Sequence, residues 1–245
     1  MFRRGQFKIN GKHSEEFNAF ISERPERLSA TRVIELRERE GADSIVLDKA
    51  YYTNVVRKFK CYSKAPSLDL VQEYEDRIAA WLDCGGYSDF EWFLDPQYIY
   101  QAVVTTPPTF TGTRKTGTMI PFEFEVSIRP FKENRTGHVP IVKTTAFSLI
   151  NTEQYPSKPL IKLYGSGDAV FYINDVAYGL KGLDVELVID SQIEESYRNL
   201  DGALEHQDRV TTFLDFPVLV PGKNSIRWTG GIKKMEILPR WCRKV

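Results

Sequence analysis

Three histidines, His13, His138 and His206, are the residues best suited to metal binding or proton transfer, and each stands alone in a turn or polar stretch. None has a second His, Cys or carboxylate at ligand spacing, so surface histidines and no metal centre are expected. Acidic pairs at Glu194-Glu195 and Asp184/Glu186 offer two carboxyls, the minimum that glycoside hydrolysis requires across one cleft. Carboxylates alternating outward along a strand are the ordinary pattern of a solvated face, and no catalytic pair is assigned. Gly165-Ser166-Gly167 sets a serine between glycines. It joins two strand-like segments and opens no helix, so a hairpin turn is expected there, not a nucleophile or phosphate cradle. G-x-S-x-G elbows, P-loops and dinucleotide fingerprints are absent from the sequence. Cys61, Cys84 and Cys242 are odd in number and far apart, a pattern of reduced thiols and not of a disulfide framework or zinc knuckle. The expectation is a protein that is not an enzyme and holds no cofactor or metal.

Binding is the remaining class of chemistry. Tyr164, Tyr172, Tyr178 and Trp228 could stack sugars if exposed on a β-sandwich, or else fill its core. Arg3-Arg4, Lys233-Lys234 and the terminal run 240–244 are short basic clusters without a nucleic-acid motif. Across 245 residues, 33 basic side chains balance 33 acidic ones, so no global field attracts nucleic acid or an anionic membrane. A near-zero balance also removes a barrier to self-association. No apolar run reaches membrane-span length, and Met1-Phe2-Arg3-Arg4 is not followed by a signal-peptide core. A soluble protein made inside a cell is expected.

The element that organises the first half is a helix after Pro66. Val71, Tyr74, Ile78, Trp81 and Leu82 recur at three- and four-residue steps and line one face. Ser67 is suited to cap its start, Asp69 complements the dipole, and Gly85-Gly86 is expected to supply a left-handed stop. It is the sole convincing helix in the sequence, so it should lie as a lid on a sheet. Asn10-Gly11 between two short strands predicts a type I′ hairpin. Residues 31–39 and 53–62 read as strands. Between them, residues 40–52 form a charged, Gly-interrupted excursion that is apolar at Ile45, Val46 and Leu47, either an arm for a neighbour or a hairpin extension. Tyr98–Thr105 reads as a strand, residues 105–117 as a Pro/Thr/Gly loop, and residues 120–129 as a strand burying Ile120, Phe122, Phe124, Val126 and Ile128.

A polar stretch at residues 130–137 marks the expected boundary between a domain over 1–132 and one over 133–245. Beyond it short strands are expected at 158–165, 168–174, 176–180, 183–190, 217–220, 225–229 and 232–238, with turns at Asn174-Asp175, Pro221-Gly222-Lys223-Asn224 and Gly230-Gly231. The fold class expected is mainly β: a β-sandwich-like N-terminal domain with one helix, then an all-β galectin-like or jelly-roll sandwich. Ser191–Thr212 reads as the longest loop of the second domain.

Three features resemble the distal tail protein (Dit) family of siphophages and prophages of Gram-positive bacteria. One is the segment 77–104, where Trp81-Leu82 closes the helix and Leu94, Pro96 and Tyr98 lead into a strand. Another is the C-terminal series 155–175, 187–197 and 216–241, and the last is the order of one mixed domain followed by one all-β domain. The resemblance implies a structural virion protein made in the bacterial host cytoplasm and carried at the distal end of the tail. Its N-terminal domains would form a hexameric ring with a central channel for DNA, joining the tail tube protein, tape-measure protein, tail-associated hub protein and baseplate or receptor-binding proteins. It implies neither sequence-specific nucleic-acid binding nor a membrane. Rings need two different complementary patches on each subunit, and Ile45, Val46, Leu47, Tyr51 and Tyr52 are the candidates for one of them. Glu194, Glu195, Tyr197 and Arg198 are candidates for partner docking. The alternative reading is a stand-alone carbohydrate-binding sandwich. An accessory domain of a cell-wall hydrolase is more remote, since it lacks a catalytic pair.

Overall fold

The computed structural model describes residues 2–113, 115–200 and 203–245, with the side chain of Leu200 also left aside. Met1, Arg114, Asp201 and Gly202, which fall within segments discussed above, lie outside the described residues. The chain divides into two compact units. Unit 1 comprises Met1–Lys132 with Lys244–Val245, and unit 2 comprises Glu133–Arg243.

In unit 1 the strands are β1 (Phe7–Ile9), β2 (Lys12–His13), β3 (Ala19–Ile21), β4 (Arg32–Arg39), β5 (Ala42–Tyr52), β6 (Val55–Lys64), β7 (Ser88–Trp92), β8 (Tyr98–Phe110) and β9 (Met119–Ile128), with helix α1 (Val71–Leu82) between β6 and β7. Strand β10 (Phe131–Asn134) starts in unit 1 and ends in unit 2. The main sheet runs β2-β1-β7-β8-β9-β6-β3. Asn10 and Gly11 both have positive φ, 54° and 74°, the pair of left-handed residues that a type I′ turn demands. On β9 the alternation holds throughout: Ile120, Phe122, Phe124, Val126 and Ile128 are buried. They face Val55, Phe59 and Cys61 of the paired strand β6. Aromatic rings knit this core, with Phe59 centred 5.2 Å from Phe90 and 5.5 Å from Phe124.

Helix α1 buries Ile78, Trp81 and Leu82 and leaves Val71 and Tyr74 half-covered. Trp81 lies flat on Phe17, centroids 4.2 Å apart, and its indole N–H donates to the Ile9 carbonyl at 3.0 Å. The Asn10 side-chain amide returns the contact, donating to the Trp81 carbonyl at 2.8 Å. The hairpin and the helix therefore hold one another. Trp81→Phe keeps the stacking surface but strands the buried Ile9 carbonyl, and should cost about 2 kcal/mol, read as a lower urea midpoint with an unchanged slope.

Three local expectations in unit 1 are corrected. Ser67 begins a short 3-10 turn, Leu68–Leu70, and makes no capping bond to it. The helix stops because Asp83 turns extended, with neither Gly85 nor Gly86 left-handed. Residues 105–110 are not a loop: β8 continues to Phe110, opposite Phe122 of β9. Pairing on β9 overrides the poor strand propensity of Pro107-Pro108, which sit where the register slips between Thr106 and Thr109.

In unit 2 the strands are β11 (Ile141–Lys143), β12 (Phe147–Asn151), β13 (Leu160–Ile173), β14 (Val176–Asp190), β15 (Glu195–Leu200), β16 (Ala203–His206) and β17 (Gly222–Leu238), while β18 (Cys242–Lys244) ends in unit 1. One curled sheet runs β11-β17-β13-β14-β15-β16, with β12 also on β17. Its core holds Ile161, Leu163, Phe171, Leu187, Ile189, Leu219, Met235 and Ile237. The turn at Asn174-Asp175 joins β13 to β14, and the buried Asn224 side chain pins the turn before β17 through Val220 and Gly222.

The glycines at 165–167 and 230–231 do not end strands. β13 and β17 run straight through them as continuous strands of 14 and 17 residues, slipping register there. A Cβ on Gly165 would meet the Gly231 carbonyl at 2.0 Å, and one on Gly231 would meet the Ser166 carbonyl at 1.7 Å. Two backbones approach where side chains cannot fit, and the register slips there, so the long strands bend at this point. Likewise 176–180 and 183–190 form one strand, bent at Gly182 and Val185, both with positive φ.

Candidate functional site

The segment that stands out physically is the β4/β5 ribbon. It is a separate two-stranded sheet, closed by a turn at Gly41 with φ 70°. Pairing sets Leu36 opposite Val46, Ile34 opposite Asp48 and Arg37 opposite Ile45. Because side chains alternate along a strand, Ile34, Leu36 and Val46 share one face, and Ile45 and Leu47 lie on the other with Glu35 and Arg37. Leu36 is 62% exposed, Val46 58% and Ile34 50%. An isolated two-stranded ribbon is marginal in water, and this one leaves an apolar stripe unpartnered.

Charge stitches the ribbon together. Arg32 grips Asp48 with both ends of its guanidinium, Nε donating to Oδ1 at 2.9 Å. Those hydrogen bonds raise the Arg32 pKa and hold the Asp48 carboxyl below the usual carboxylate range. Glu35 is likewise held low, first by Lys49 at 2.7 Å and then by Arg37 at 2.8 Å. At the base, Arg32 pairs with Tyr52 and Ile34 with Asp48, so Lys49–Tyr51 stand opposite Val33 alone. This bulge kinks the ribbon as it leaves the unit. Tyr52 meets Phe131 edge-on at 5.4 Å and packs on the core.

Acid should loosen the ribbon. A depressed carboxylate pKa stabilises the folded form above the unfolded pKa, and that contribution is lost as pH falls through the lower, folded value. Protection of β5 amides from hydrogen exchange should therefore fall on acidification below the usual carboxylate range, while β9 amides keep theirs. Equal loss in both strands would show that the ribbon has no separate acid response.

Of the five residues singled out for a ring contact, Ile45, Val46 and Tyr51 are exposed, Leu47 is half-buried, and Tyr52 serves as anchor. Sequence reasoning missed Ile34 and Leu36. Residues 31–39 were legible as a strand, but which face stays bare depends on pairing with β5.

The segment 191–212 is not a loop. β15 and β16 form a hairpin on the edge of the unit 2 sheet. Glu194 lies just before it with φ 57° and pairs with Lys158 at 2.8 Å. Tyr197 sits opposite both Val188 and His206, and Glu195 opposite Asp190. Arg198 bridges Glu205 at 2.6 Å and Asp184 at 3.1 Å. The carboxyls weighed for hydrolysis are thus engaged in ion pairs or spread along strands.

The remaining groups are structural. His13 caps a 3-10 turn by accepting from the Glu15 N–H, and His138 pairs with Glu133 at 2.9 Å. Burial pushes the Cys61 thiol up, and the Cys242 thiol up to about 12. Among the described residues no group of three His, Cys, Asp or Glu side chains converges on a metal position. In unit 1 Lys132 is buried against Asp95 and Tyr100. In unit 2 the Arg240 guanidinium clasps Asp190 at 2.5 and 3.0 Å. Tyr164 and Tyr172 each carry a cation over the ring, Lys234 at 3.7 Å and Arg227 at 3.8 Å. Tyr178 is buried against Phe171, and the Trp228 indole N–H is bonded to the Ile232 carbonyl.

No protein-family model and no curated protein sequence matches the chain. Solved structures do, and the architecture they share with it is that of phage hub and baseplate proteins. The crystal structure of the SPP1 Dit (gp 19.1) protein, described as a paradigm of the hub adsorption apparatus in phages infecting Gram-positive bacteria, superposes with a TM-score of 0.73 at 11% identity, over 96% of this chain and 98% of that one. A chain of the phage P2 baseplate in its activated conformation with calcium gives a TM-score of 0.57 at 11% identity, over 99% of each chain. The same baseplate with strontium gives 0.55 at 11% identity, over 98% of each. This chain has the Dit fold, mainly β with curled sheets and one helix, over nearly its whole length.

Proposed function

We propose that this chain is a structural, non-enzymatic distal tail protein, assembled at the distal end of a phage tail after synthesis in the host cytoplasm. Six copies form a ring around a channel for DNA, through unit 1. The ring joins the tail tube and tape-measure proteins on one side to a tail-associated hub protein and baseplate or receptor-binding proteins on the other. The observation that carries this reading is the β4/β5 ribbon with its bare stripe of Ile34, Leu36 and Val46. A patch of this kind, meeting a different patch on the next copy, is what a head-to-tail contact requires, and such contacts form a ring when the rotation between copies closes. In unit 2 the β15/β16 hairpin, with Glu194, Glu195, Tyr197 and Arg198, is proposed as a docking edge, since an edge strand offers free backbone groups to a partner.

The carbohydrate-binding reading has less support, because Lys234 and Arg227 occupy a face of the two tyrosines best placed to stack a sugar. Negative-stain images of the purified chain test the proposal. Rings with an open centre are expected. Monomers that bind cell-wall saccharides on an array would overturn it in favour of the lectin reading.

A further inference from the structure

We propose that a groove beneath Leu214 in unit 2 seats an extended segment of a second protein, presenting an aliphatic side chain with a basic residue beside it. Leu214 is 96% exposed, yet it is not on a slack loop. Its neighbours Phe213 and Phe216 turn inward, Phe213 meeting Tyr178 at 5.2 Å and Phe216 at 5.6 Å, each edge-on. The two rings hold the intervening backbone and fix the leucine in water. Large apolar side chains held out in this way mark contact sites when they border a concavity.

Leu214 borders one. A groove of about 240 Å³ is lined by Leu214, Phe216 and Val218 on its apolar wall, and by Lys158, Ser191, Glu194 and Asp215. Its volume falls below the roughly 300–1,000 Å³ of small-molecule sites and suits one or two side chains. Ile193, between two of the lining residues in sequence, is also exposed. Charge selects the occupant. Lys158 is committed to Glu194 at 2.8 Å, and among the described residues no cation pairs with Asp215. A segment carrying Lys or Arg next to its aliphatic residue would satisfy that carboxylate. Ser191 is fully buried in the wall of the groove, so the selecting group that an occupant can reach is the Asp215 carboxylate.

The proposal deepens the docking role given to unit 2 and rests on that reading for the existence of a partner, whereas the groove's preference can be measured on the full chain alone. A displayed library of random short peptides is selected against the full chain, then challenged with variants. Enriched peptides should share an aliphatic–basic pair and lose at least about tenfold in affinity on Leu214→Asp, whose exposed position leaves the unfolding midpoint unchanged. Asp215→Lys should switch the preference to acidic flanks. No enrichment, equal binding to Leu214→Asp, or a preference of the unaltered chain for acidic flanks would overturn the proposal. So would self-association that Leu214→Asp abolishes without any peptide binding, which would assign the groove to a second copy. Rings that persist while no peptide binds sink the groove alone; peptide binding by a chain that forms no ring sinks the ring alone.

Discussion

Replacing Leu36 and Val46 together by glutamate is expected to abolish ring assembly while leaving unit 1 folded. The two residues face each other across the ribbon and are both mostly exposed, so an isolated chain loses little by the exchange, within about 0.5 kcal/mol. In a closed ring they would be covered. Burying an aliphatic side chain contributes roughly 1.5–3 kcal/mol, and two adjacent carboxylates would have to be dehydrated in their place. A loss of about 4 kcal/mol per contact, close to a thousandfold in association constant, follows. Sedimentation velocity should show the variant as a monomer with the parent's circular dichroism. A variant that assembles like the parent would place the ring contact elsewhere. Arg32→Ala is a weaker relative of the same test, since it loosens the Asp48 clasp without touching the stripe.

Gly231→Ala is expected to prevent unit 2 from folding. The new methyl would lie 1.7 Å from the Ser166 carbonyl oxygen and 2.7 Å from its carbon. Both are backbone atoms inside a paired strand, so no rotamer change relieves the overlap, and β13 and β17 must part where they cross. The cost is at least about 4 kcal/mol, a large share of a domain's stability. Gly167→Ala is the control: its φ is 82° but a methyl there meets open space. It should cost about 1 kcal/mol through backbone strain alone. Thermal unfolding followed by near-ultraviolet circular dichroism separates the two, and similar midpoints would show that the glycine crossing does not set the curl of the sheet.

These glycines also show where sequence reading stops. Period-two burial on residues 120–128, the left-handed Asn10-Gly11 turn and the apolar face of α1 were legible because each is encoded within a few adjacent residues. The role of Gly165 and Gly231 was not, since it arises between positions far apart in the chain. Read locally, Gly-Ser-Gly is turn chemistry; paired against Gly231, it is a bend in a continuous strand. The same limit hid the end of β8, where Phe110 is held opposite Phe122 despite two prolines, and the β15/β16 hairpin, whose polar residues suit an exposed edge strand as well as a loop. For the candidate site, the apolar run Ile45-Val46-Leu47 drew attention to the segment that forms the β4/β5 ribbon. Pairing then splits that run between two faces and joins Val46 with Ile34 and Leu36, a stripe assembled only by the β4/β5 register.

The mass of the purified chain by static light scattering, followed through a dilution series from micromolar concentration, tests the central claim most directly. Six copies of a 28.2 kDa chain predict a particle of about 169 kDa that falls to the monomer in one concerted step, and earlier in dilution for Leu36→Glu/Val46→Glu. A mass of 28.2 kDa at every concentration, unchanged by those substitutions, would contradict it.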